Sequence, residues 1–164
     1  MWERIVKNID GHRVAKTIYG TIIILVVMVT LQEHPPSPLG TIATVILTGL
    51  GVALAEFYSD FIGISIKEQH LLDRMERHDI VKDVSAVMTG ALLPLPFVIL
   101  AWVDVISLDL AIGLAKWTMV GVLLFYGYVA SRLSGQSRPR SFLYAIMASV
   151  IGMFVVLFKD AFGH

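Results

Sequence analysis

Glu56 and Asp60 are the residues of this chain whose type and spacing could do chemistry. Both lie inside Leu39–Ile66, an otherwise apolar run that contains no Lys, Arg or His. A spacing of four puts the two carboxylates on one face of a helix, a single turn apart. An acidic side chain in hydrocarbon costs about 2.5 kcal/mol or more, which makes an acid pair in this run the first candidate for an ion or proton site. Hard oxygen ligands suit Mn²⁺, Mg²⁺ or Fe²⁺. A metal needs the deprotonated carboxylate, so metal entry and proton release would be coupled at Glu56, with Asp60 as a relay on the cytoplasmic side. The bland reading of Asp60 is that it reaches the interface, since Lys67 follows about 10 Å further along a helix.

The remaining polar candidates are more ordinary. Glu76 and Asp79 share a helical face with Asp83 in the link after Ile66, and His70, Asp73, Met75 and His78 lie close by in sequence. Such a face could collect metal ions. Arg77 and Lys82 stand beside it, so a solvated helix laced with ion pairs explains the same residues. Lys116 is the cation set well inside a later run. Its side chain can snorkel toward Asp109 or Asp104, or else serve as a fixed counter-ion to Glu56. Glu33 and His34 read as surface residues.

Composition determines what carries these side chains. The chain has 164 residues, of which 56% are hydrophobic and 16% charged, and its mean hydropathy is +0.75. It contains no cysteine, which excludes disulfides and thiolate metal sites. Net charge is zero and no basic tract points to nucleic acid. The opening residues are too polar for the front of a cleaved signal peptide. Five apolar stretches, about 14–31, 39–66, 84–103, 110–133 and 141–162, predict an all-α integral membrane protein. It forms a single transmembrane domain with a short link at 67–83. Pro94 and Pro96 fall in the third stretch, where a kink frees carbonyls near Gly90 and Leu92.

Basic residues set the expected direction. Eleven of the 13 Lys and Arg fall in the N-terminal segment and the second and fourth links, with Lys159 at the opposite end. The positive-inside rule then predicts a cytoplasmic N-terminus and an external C-terminus. A compact chain without address signals is expected in a cell membrane, read as a prokaryotic inner membrane rather than an organelle. Gly51, Ala55, Ser59 and Gly63 recur every fourth residue along the second stretch. Ala145, Ser149 and Gly152 make a shorter version in the fifth. Small residues at this spacing let a neighbouring backbone approach, which predicts tight packing and a homodimer seam. Enzyme signatures are missing: no nucleophile elbow, no His-Glu-x-x-His and no phosphate loop occur.

Four stretches resemble the vacuolar iron transporter family and its nodulin-like relatives. They are Tyr19–Gly20, LTGLGVALAEFYS (Leu47–Ser59), GALLPLPF (Gly90–Phe97) and the segment Gly127–Ser149. Glu56 falls on the family's glutamate and Gly49 on one of its glycines. The resemblance implies a dimer that moves ferrous iron or a similar divalent ion out of the cytosol against protons. Several family positions differ here. Ile23 and Thr48 stand where acids are usual, Val52 replaces a methionine, and the long Glu- and Met-rich insertion is reduced to Lys67–Asp83. Divalent cation transport centred on Glu56 is therefore one expectation. The other is a non-transporting membrane scaffold or subunit that kept the fold and lost the ion site.

Overall fold

Apolar runs separated by turns rich in Pro, Ser and Asp fold into six helices in the computed structural model, which describes residues 11–68 and 73–162. These are α1 (Gly11–Leu31), α2 (Pro38–Glu68), α3 (Arg74–Ala91), α4 (Leu95–Trp102), α5 (Leu108–Leu133) and α6 (Arg138–Phe162). No strand occurs among the described residues. Helices α1, α2, α5 and α6 are each long and apolar enough to cross a bilayer. Helices α3 and α4 together make a fifth candidate, bent by 49° at their junction. The expected all-helical membrane architecture is thus present with four to five spans.

Local chemistry explains where the helices begin and end. Ser37 accepts the Gly40 N–H at 3.2 Å at the start of α2, and Ser107 accepts the Leu110 N–H at 3.3 Å at the start of α5. Each hydroxyl satisfies a backbone donor that has no partner within its helix. Asp109 in the first turn of α5 adds favourable charge there. Gly135, at φ 73°, ends α5 in a left-handed turn, and the Gln136 N–H returns to the Ser131 carbonyl at 3.2 Å.

The bend lies where the proline pair predicts it, between Ala91 and Leu95, but it exposes fewer carbonyls than expected. The Leu95 N–H donates to the Leu92 carbonyl at 3.1 Å, so the turn closes on itself at that position. Pro94 has no N–H to offer Gly90.

Helix α1 is the central element and packs on α2, α3, α5 and α6. Ile24, Leu25 and Met28 of α1 are fully buried with Ile112, Met119 and Leu123 of α5. The tightest crossings are made by glycines the spacing argument did not select. A Cβ at Gly20 would overlap the Val87 carbonyl of α3, and a Cβ at Gly90 would overlap the Thr17 carbonyl of α1. Between α5 and α6 the close contacts are with side chains: a Cβ at Gly127 would overlap Ala148 and one at Gly152 the tip of Leu123, and Ala145 is fully buried there, so the small residues of the fifth stretch pack as expected. The stripe on α2 does not. Gly51, Ala55, Ser59 and Gly63 are all exposed, and neither glycine has a neighbour within 4 Å of a built Cβ. Within one chain that stripe faces outward.

Candidate functional site

Glu56 and Asp60 do share one face of α2, and that face meets a lysine. Lys16, in the second turn of α1, donates to the Glu56 carboxylate through Nζ. The same Nζ lies 3.1 Å from Asp60 Oδ2 and 3.5 Å from Oδ1. The three side chains are mostly enclosed, with relative exposures of 12% for Lys16, 17% for Glu56 and 27% for Asp60. The group is therefore neither sealed nor fully solvated.

Helix geometry accounts for the meeting. Helix α2 runs toward the end of the molecule from which α1 starts. Asp60 and Glu56 lie about 12 and 18 Å from the α2 terminus at Glu68, and Lys16 about 8 Å from Gly11. A four-carbon stem spans the remaining offset. Lys16 is one of the basic residues of the N-terminal segment, and it also lies on α1 opposite the acids. Its mark in the sequence is its place two residues after Val14, where the apolar run has already begun.

Charge counting shows what such a site can do. Two carboxylates carry −2, and one ammonium leaves −1. A single dication would match the pair completely, but only with the ammonium moved aside. A lysine side chain on a helix leans toward its N-terminus, which for Lys16 is the water-facing end. Two carboxylates with water completing the shell are a normal environment for Mg²⁺-like ions.

The other candidates are dispersed. Asp79 pairs with Lys82 at 3.1 Å on the solvent-exposed side of α3. Glu76 belongs to α3, but its side chain lies outside the described residues, as do Met75 and His70. Asp83 is drawn to α1, with His12 Nε2 3.2 Å from its carboxylate. Lys116 is buried and donates to the Gln32 side chain after α1. That contact replaces the Asp109, Asp104 and Glu56 alternatives read from the sequence. Glu33 and His34 are exposed. Among the described residues, no three His, Asp or Glu come together in a way that could hold a metal. Comparisons of this chain with family models, with curated proteins and with solved structures give no match.

Proposed function

We propose that the protein carries a divalent cation such as Fe²⁺ or Mn²⁺ across the membrane, with Glu56 and Asp60 as its ion site and Lys16 as a tethered cation that holds the site between transport events. The observation that carries this reading is the acid pair sharing one ammonium inside an apolar span, one unit of positive charge short of neutrality. Loading exchanges Lys16 for the metal. The basic end, where Arg13, Arg132, Arg138 and Arg140 gather, then faces the cytosol, and the ion leaves from there. The resemblance of Leu47–Ser59 and Gly90–Phe97 to vacuolar iron transporters supports the same assignment.

Proteoliposomes containing a metal-sensitive dye test it. Wild-type protein is expected to give a signal with Fe²⁺ or Mn²⁺, and Glu56→Gln is expected to abolish it. Lys16→Gln is expected to tighten metal binding by removing the competing charge.

A second reading, a membrane scaffold without transport, is favoured by a specific pair of observations. Lys16 already satisfies both acids, and no third acidic or histidine ligand joins them among the described residues. It predicts no dye signal with Fe²⁺, Mn²⁺, Co²⁺ or Zn²⁺, and the same null result for Glu56→Gln.

Either role fits a homodimer joined through the outward stripe of α2. Gly51→Leu is expected to shift the detergent-solubilised protein from dimer to monomer in light scattering without lowering its helicity. A species of unchanged mass would remove the stripe from the interface.

A further inference from the structure

A crevice of about 620 Å³ opens between α1, α5 and α6, at the same basic end of the molecule and separate from the acid pair. Its walls are almost wholly apolar, formed in part by Ile18, Met147 and Ile151, and its rim is polar, formed by Ser131, Ser134 and Gln136. We propose that this crevice seats one anionic phospholipid, its acyl chain along the face of α6 walled by Tyr144, Met147 and Ile151 and its phosphate at the α5–α6 turn.

Three observations favour that occupant. The first is shape and polarity: a long apolar slot ending in hydroxyl and amide groups matches an amphiphile entering from one leaflet. The second is charge. Arg140, Tyr144, Met147 and Ile151 follow one another at spacings of four, three and four along α6, so Arg140 heads the same stripe that walls the slot. Arg138 stands beside it at the start of the helix, and both arginines are exposed. Basic pockets between spans at the cytoplasmic level bind anionic headgroups.

The third is an unmet hydrogen bond. Ser131 is 5% exposed and lines the crevice, and its hydroxyl has no hydrogen-bond partner. A buried hydroxyl left unpaired costs free energy, and a phosphate or ester oxygen would satisfy it. The turn that carries these groups is held in place, with Arg132 Nη1 donating to the Gln136 carbonyl at 2.8 Å.

The test is native mass spectrometry of the purified full chain after incubation with phosphatidylglycerol or phosphatidylcholine. Wild-type protein is expected to retain one phosphatidylglycerol in preference to phosphatidylcholine. Arg140→Gln should lower that retention about five-fold, the equivalent of one basic contact to an anionic headgroup. Met147→Trp, at an exposed position on the wall, should block the slot and displace both lipids. Lys82→Gln, on the solvent side of α3, should leave retention unchanged. The proposal is overturned by equal retention of the two lipids, or by an Arg140→Gln variant that binds as the wild type does. It is also overturned if Met147→Trp converts a dimer to a monomer with lipid retention unaltered, since a second copy would then cover the crevice. Metal transport enters none of these measurements.

Discussion

Lys16→Met is expected to lower the stability of the folded protein by about 3 kcal/mol, the usual result of removing one partner from an enclosed ion pair. The substitution keeps the apolar stem and deletes only the ammonium, leaving Glu56 and Asp60 as two like charges side by side within a helix of low polarity. Glu56→Gln should cost much less, because Lys16 keeps Asp60 at 3.1 Å. The triple variant Lys16→Met, Glu56→Gln, Asp60→Asn should recover most of the loss, since no uncompensated charge remains. Unfolding in mixed micelles, followed by tryptophan fluorescence, provides the measurement. A Lys16→Met protein as stable as wild type would show that the acids draw their compensation from elsewhere.

Gly20→Ala and Gly90→Ala should each cost about 2 kcal/mol, from overpacking a crossing that cannot relax. At both positions the obstacle is backbone. The Val87 carbonyl stands over Gly20, and the Thr17 carbonyl, with the Thr21 N at 2.8 Å, stands over Gly90. Backbone can give way only by moving a whole helix. Gly121→Ala, on an exposed face of α5 with open space around it and away from the α2 stripe, is the matched control and should be neutral or slightly stabilising because alanine favours helix. The same unfolding titration ranks the three. Equal stabilities for Gly20→Ala and Gly121→Ala would mean that α1 and α3 do not cross as closely as described.

Much of the architecture is legible in the sequence because hydrophobic length and turn residues act locally. Leu110–Leu133 becomes α5 with two residues added at its start, and Pro94 bends the third stretch where its ring must. The spacing of Glu56 and Asp60 likewise fixes their common face. What the sequence could not reveal depends on which helices touch. Lys16 and Lys116 are equally plausible partners for Glu56 on charge alone. Only the antiparallel pairing of α1 with α2 brings Lys16 to the acids, while the other end of α1 leads to Gln32 and captures Lys116. The glycines divide in the same way. Spacing identifies Gly51 and Gly63 as a smooth stripe, yet Gly20 and Gly90, each alone in its turn, are the ones pressed against another backbone. Small size permits close approach, and the partner helix decides where it happens.

The opposite charges of this cluster sit on consecutive helices joined only by the short segment 32–37. A lone carboxylate at mid-bilayer carries an apparent insertion cost of about 2.5–3.5 kcal/mol, and a lone lysine a similar one. Delivered to the bilayer one after another, α2 would bear much of that cost for Glu56, and α1 a smaller part for Lys16, which lies nearer the start of its helix. Threaded together as a hairpin, they arrive already paired, and the lysine of α1 escorts the two acids of α2.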